Sequence, residues 1–168
     1  MLITATDPAL YKLAERVGQG PLARHWRLVL AESCTGGWIA KVITDVLGSS
    51  GWFERGFVTY SNTAKVDLLA VPQALLDSHG AVSRETVNAM AAGALRYSQA
   101  ELAVAVSGIA GPDGGSPDKP VGTVWLAWTV RDRTGHSRCY TFPGGREAVR
   151  RQAVAAALQG VLELLDAG

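Results

Sequence analysis

The chain has 168 residues, 48% hydrophobic and 18% charged, the size of one domain that buries a core without disulfide or metal staples. Sixteen Lys and Arg against fifteen Asp and Glu leave a net charge of +1, so the basic field that non-specific nucleic-acid binding needs is missing. Cys34 and Cys139 make neither a disulfide framework nor a metal-ligand spacing, no apolar run reaches the ~20 residues of a membrane span, and the opening MLITATDPAL has no signal-peptide pattern. These features predict one cytoplasmic globular domain over residues 1–168, with no membrane segment, no nucleic-acid partner, no metal and no cofactor.

Asp7-Pro8 reads as the start of a helix to about Val17, ended by Gly18 and Gly20. Residues 26–31 (WRLVLA) form a short apolar run, as a buried strand does. From Gly36 to Leu47 the apolar residues Trp38, Ile39, Val42, Ile43, Val46 and Leu47 fall on one helical face, which Gly48-Ser49-Ser50-Gly51 breaks. A strand over 57–60 and a short helix over 62–69 follow, with a stop before Pro72. Ser83 is placed to cap an Ala-rich helix from Arg84 to about Ser98. Leu102–Val106 is a strongly apolar strand. The Gly- and Pro-rich stretch 108–122 is a loop, and strands over 123–130 and 138–142 form a hairpin. An amphipathic helix over 147–165 closes the chain. Early strand–helix alternation and a late hairpin together predict an α/β domain, a mixed sheet flanked by helices in α/β/α layers.

Glycine-rich turns follow three strands: SCTGG at 33–37, SGIAGPDGG at 107–115 and PGGR at 143–146. In α/β folds ligands bind at the carboxyl ends of strands, where such turns lie. SCTGG runs directly into a helix, whose free N–H groups and positive dipole end suit a phosphate or other anion. The same residues also read as a helix cap and a turn. Glu32 follows an apolar strand, where a carboxylate needs a partner: a lysine, a ligand hydroxyl or a structural arginine.

A serine hydroxyl is a poor nucleophile until a base takes its proton. His25, His79 and His136 lie outside the Gly-rich turns, which leaves a lysine as the candidate base. Lys65 stands one turn into a helix that follows Tyr60, close in sequence to Ser50. Bringing a lysine from a pKa of ~10.4 to ~8 takes about 3.3 kcal/mol in favour of the neutral amine, which burial or a neighbouring cation such as Arg146 supplies. Ser107 ends the most apolar strand, with following N–H groups free to bind a carboxamide, an oxyanion or a phosphate. Arg146 opens the last helix, within reach of a ligand phosphate. Cys34, at a helix N-terminus, is either a second nucleophile candidate or a small buried residue.

The segments AESCTGG, GSSGWFERGFVTYSNTAK, SGIAGPDGG, KPVGTVW and GGREAVRRQAV, in that order from residue 31 to 154, resemble the CinA C-terminal domain family. The resemblance extends over about residues 8–165. That family includes stand-alone nicotinamide-nucleotide amidases, which convert nicotinamide mononucleotide to nicotinate mononucleotide and ammonia without a metal, in pyridine-nucleotide recycling. The resemblance implies a Ser–Tyr–Lys catalytic set in which Ser50 attacks, Lys65 is the base and Tyr60 relays or stabilises the proton; spacing alone leaves the attacking hydroxyl open between Ser50 and Ser33. It implies a nucleotide site lined by Glu32, Ser33, Cys34, Gly36, Gly37, Ser107 and Arg146, and an expected homodimer. Two positions depart from the family pattern: Ser107 stands where Thr is usual, and Gly145 where Asp is frequent. The competing expectation is a nucleotide-binding module without catalysis, linked to competence or the DNA-damage response.

Overall fold

The computed structural model describes residues 5–167. Helix α1 (Asp7–Arg24) precedes strand β1 (Leu28–Glu32) and helix α2 (Trp38–Thr44). A 3-10 turn over Ser49–Gly51 leads into β2 (Phe53–Val58), followed by helices α3 (Asn62–Leu69), α4 (Gln73–His79) and α5 (Arg84–Arg96). Strands β3 (Leu102–Gly108), β4 (Thr123–Val130) and β5 (His136–Thr141) follow, and α6 (Arg146–Asp166) closes the chain. The five strands form one sheet in the order β2-β1-β3-β4-β5. β1 is parallel to β2 and to β3, and β4 is antiparallel to both β3 and β5. The expected α/β mixed sheet is present, and the expected hairpin pairs β4 with β5, the second strand starting two residues earlier than read from the sequence.

Strand periodicity divides the core in two. Leu28, Leu30, Leu102, Val104, Val106, Leu126 and Trp128 face the layer of α1, α2 and α6. Their neighbours Val29, Ala31, Ala103, Ala105 and Ala127 face α5 through Val87, Met90, Ala91 and Ala94. Small residues on this second face let α5 lie close to the sheet. Polar caps fix where helices begin: Ser61 Oγ accepts from Ala64 N at 3.0 Å on α3, and Ser83 Oγ accepts from Thr86 N at 3.1 Å on α5.

Helix α1 runs through Gly18 and Gly20 instead of ending there. Their lack of a side chain serves packing, because a Cβ on Gly18 would stand 2.7 Å from the buried Trp52 indole, and one on Gly20 would strike Leu165 of α6. Helix α4 was not expected as a separate element. The edge strands β2 and β5 are half-exposed and carry Glu54, Arg55 and Arg138, charges that suit unpaired edges.

Topology positions the site. From β1 the chain crosses through α2 to β2 on one side, while β3 lies on the other side of β1 and is reached through α3–α5 on the opposite face. The connections therefore diverge at the carboxyl ends of β1 and β3, the place where open α/β sheets form a binding crevice.

Candidate active site

The chain leaves β1 at Glu32, which is 1% exposed. Its carboxylate accepts from Thr35 Oγ1 at 2.6 Å, from the N–H groups of Gly37 and Ile39 at 3.1 Å each, and from Ala40 N at 2.9 Å. An internal carboxylate thus holds the free amides at the start of α2, and charge on the helix dipole repays its burial. The anion cradle read in SCTGG is filled by the protein itself. Gly36 and Gly37, at φ +59° and +94°, provide the left-handed turn that brings those amides back onto Glu32.

Ser33 is the next residue. Its N–H donates to Val106 O at 3.0 Å, which fixes it in the β1–β3 crevice. Its hydroxyl lies 2.9 Å from Lys65 Nζ. Lys65 is 1% exposed, on the face of α3 that also buries Leu69. Its amine also donates to Thr59 O at 2.8 Å and Tyr60 O at 3.2 Å. Burial lowers its pKa from an ordinary 10.5 to about 8. A neutral amine has two N–H groups and one lone pair. Two of its three partners are carbonyls, which can only accept and so take both N–H groups. The third N–H of the protonated amine points at Ser33 Oγ, whose own proton lies toward Tyr60 O at 3.5 Å; loss of that third proton leaves a lone pair directed at the serine hydroxyl. A further N–H···O bond from Thr59 N to Glu32 O, 2.8 Å, ties the end of β2 to the end of β1 and holds the lysine and the serine in register.

Ser33 and Lys65 open into a cavity of about 300 Å³, lined also by Cys34, Tyr60, Ser107, Arg146 and the loop from Gly108 to Gly114. Ser107 is 1% exposed and sits on β3 opposite Trp125. Arg146, the first residue of α6, donates from Nη1 to Gly111 O at 2.7 Å and from Nη2 to the Tyr60 hydroxyl at 3.0 Å. It bridges the two rims of the cavity. The Tyr60 ring is exposed at the mouth, and its hydroxyl turns to Arg146, away from Ser33. The Cys34 thiol is buried, and desolvation pushes it up to about 11, so it carries no thiolate at neutral pH. Arg150 donates to Cys34 O at 3.0 Å and Thr35 O at 3.2 Å and pins this turn from α6.

Six of the ten expected site residues meet here: Ser33, Cys34, Tyr60, Lys65, Ser107 and Arg146. Four do not. Glu32, Gly36 and Gly37 build the turn beneath the cavity and do not line it. Ser50 is at the other edge of the sheet. It lies in the turn before β2, beside the start of β1, where Leu28 N donates to Trp52 O at 2.7 Å. Five residues of parallel strand, about 16 Å at ~3.3 Å per residue, separate that level from Ser33. Ser50 is exposed, and its hydroxyl makes no hydrogen bond to any side chain among the described residues. Sequence reading missed Asp113 and Val82 among the lining residues, as well as Thr59 and Arg150 behind them. The Gly- and Pro-rich composition of 108–122 was the available signal for Asp113.

Among the described residues no group of three His, Cys, Asp or Glu is placed to hold a metal ion, and no helix is long and apolar enough to cross a membrane.

The model of the CinA C-terminal domain family matches residues 10–165. The nicotinamide-nucleotide amidohydrolase PncC of Escherichia coli K12 is 58% identical over 154 residues, 92% of this chain and 93% of that protein. The protein of the same name from Pseudomonas putida is 57% identical over 158 residues, 94% of this chain and 98% of that one. The crystal structure of the competence/damage inducible protein CihA from Agrobacterium tumefaciens superposes with a TM-score of 0.90 at 44% identity, covering 94% of this chain and 96% of that one. With the matched span taking in every strand and all the residues of the cavity, this chain belongs to the CinA C-terminal domain family.

Proposed function

We propose that this protein hydrolyses the carboxamide of nicotinamide mononucleotide to nicotinate mononucleotide and ammonia, with Ser33 as nucleophile and Lys65 as general base. Its place would be pyridine-nucleotide recycling in the cytoplasm. Two full-length relatives at 57–58% identity named as nicotinamide-nucleotide amidohydrolases support the activity. The observation that carries the mechanism is the Lys65 amine, held by two carbonyls with Ser33 Oγ at 2.9 Å.

In this reading Ser33 Oγ attacks the carboxamide carbon as its proton passes to the Lys65 lone pair. The N–H of Cys34, the residue after the nucleophile, donates to no carbonyl among the described residues and would receive the developing oxyanion. Collapse breaks the carbon–nitrogen bond, and the lysine proton goes to the leaving nitrogen as ammonia departs. Water then attacks the acyl carbon as Lys65 takes its proton, the carbon–oxygen bond to Ser33 breaks, and Lys65 returns the proton to Oγ. Ser107 lies on the cavity wall where the amide nitrogen or oxygen needs a partner. In this reading Tyr60 acts by holding Arg146, which donates to its hydroxyl at 3.0 Å, and the proton passes between Ser33 and Lys65 directly.

Burial that favours the neutral amine, beside a serine hydroxyl at 2.9 Å, is the feature that supports catalysis over nucleotide binding alone. The test is ammonia release from nicotinamide mononucleotide, with the nucleotide product followed by chromatography. Wild type and Ser50→Ala are expected to turn over, and Ser33→Ala is not. A folded wild type that releases no ammonia overturns the amidase; turnover by Ser33→Ala overturns the nucleophile.

A further inference from the structure

The cavity wall contains two basic side chains, Lys65 and Arg146, and one carboxylate, Asp113. Asp113 makes no ion pair or hydrogen bond with any described residue. The other acidic side chain close to the site, Glu32, is fully used in capping α2.

Asp113 is carried on a braced loop. Arg146 grips Gly111 O at 2.7 Å on one side of it. Gly122 N donates to Ile109 O at 2.8 Å across its base, and Ser116 N to Lys119 O at 2.9 Å across its far turn. Lys119 Nζ donates to His79 O at 2.8 Å and fastens the loop to the end of α4. Gly114, at φ +93°, makes the turn immediately after Asp113, and a Cβ there would approach Ile109. The carboxylate is thus presented to the cavity by a fixed backbone while its own oxygens stay free.

The proposed substrate puts an unusual demand on such a site. Its ring nitrogen is bonded to ribose and bears a full positive charge, whereas free nicotinamide is neutral. To reach Ser33 the carboxamide must carry this cationic ring in among Lys65 and Arg146. We infer that Asp113 is a specificity-determining residue whose carboxylate faces the pyridinium, so that the site selects N-ribosylated, cationic nicotinamides over neutral ones. This inference rests on the amidase reading above for the identity of the ring.

The test separates the two. The Ser33→Ala protein, which cannot turn substrate over, is titrated by calorimetry with nicotinamide mononucleotide and with the carbon-linked benzamide ribonucleotide, whose ring carries no charge. Both titrations are repeated with Asp113→Asn added. Asp113 is exposed in a loop, so its variant is expected to fold. The Kd of the cationic nucleotide should rise roughly fivefold, the size of a partly exposed ion pair, and that of the neutral analogue should stay within about twofold. In the protein that retains Ser33, Asp113→Asn should raise KM to a similar degree and leave kcat in place. Equal losses for both ligands would mean that Asp113 meets the ribose or shapes the loop, and would overturn the inference; so would no loss for either, or tighter binding of both. Charge discrimination without ammonia release from wild type keeps the inference and overturns the amidase. Failure of the Ser33→Ala protein to bind nicotinamide mononucleotide at all overturns both.

Discussion

The two ends of β1 present the same functional group in different surroundings. At the carboxyl end Ser33 is buried in the crevice beside β3, with the Lys65 amine 2.9 Å from its hydroxyl. At the amino end Ser50 sits exposed in a 3-10 turn that follows Gly48 at φ +83°. Both serines lie next to glycines, and both belong to motifs of the family. Among the described residues Ser33 is buried with an amine in hydrogen-bond contact, and Ser50 is exposed with no side-chain hydrogen bond. Nucleophilicity is conferred by surroundings and not by residue type.

The sharpest way to break the comparison is to remove each hydroxyl. Ser33→Ala is expected to lower kcat on the order of 10⁴-fold or more, as loss of a serine nucleophile does elsewhere. Ser50→Ala should stay within about twofold, the range of a surface change remote from the chemistry. Steady-state ammonia release reads both. A large loss on Ser50→Ala with Ser33→Ala active would exchange the two ends.

Lys65 links activity to pH at the buried end. In the proposed mechanism the neutral amine is the active form, so kcat/KM should climb with pH to a plateau, with an apparent pKa of about 8. Stability should follow a related curve. The folded pKa of about 8 lies below the ordinary 10.5, so between those values the unfolded chain holds a proton that the folded one has released. Unfolding free energy should therefore rise with pH across that window by about 3 kcal/mol, and stay level below pH 8, where both states are protonated. Lys65→Met is expected to abolish activity and flatten this rise. Urea titrations of both proteins from pH 7 to 10.5 compare the slopes; parallel curves would mean that the amine is not desolvated in the folded protein.

Much of this arrangement was legible in the sequence where local signals fix local structure. The Ser83 cap placed α5, two strand-like runs in succession placed the β4–β5 hairpin, and three Gly-rich turns after strands pointed to the carboxyl edge of the sheet. What was hidden came from tertiary contact. Gly18 and Gly20 look like helix stops until Trp52 and Leu165 occupy the space beside them. Ser50 stands ten residues before Tyr60, but β2 carries the chain across the sheet between them, so nearness in sequence becomes separation in space. Glu32 shows how a correct signal can lead to the wrong partner. A carboxylate after an apolar strand does need donors, and they are the amides of α2, in the anion-binding turn that Glu32 itself completes.

Glu32 therefore sharpens the comparison as a stability residue. Glu32→Gln keeps the shape but places an NH2 group against N–H donors, and should lower unfolding free energy by about 2 kcal/mol, the scale of a buried hydrogen bond to a charged group. Chemical denaturation measures it. Unchanged stability with weakened nucleotide binding would return Glu32 to the ligand.

The smallest effect belongs to Tyr60, and it tests how far the buried dyad suffices. Its hydroxyl is 3.0 Å from Arg146 Nη2, and its ring is 62% exposed at the cavity mouth. If its part is to hold Arg146 across the rim, Tyr60→Phe removes one exposed hydrogen bond and leaves the Gly111 contact in place. KM should rise about two- to threefold, with kcat and the pH profile retained, because an exposed hydrogen bond of this kind contributes no more than ~1 kcal/mol. A proton relay would behave differently: losing it should lower kcat by roughly 10²-fold or more and displace the ascending limb of the pH profile. That result would place the hydroxyl on the path between Ser33 and Lys65, and would require the Tyr60 side chain to leave Arg146 when substrate binds. Retained kcat would leave Ser33 and Lys65 as the whole acid–base apparatus, with Tyr60 and Arg146 shaping the entrance through which the nucleotide passes.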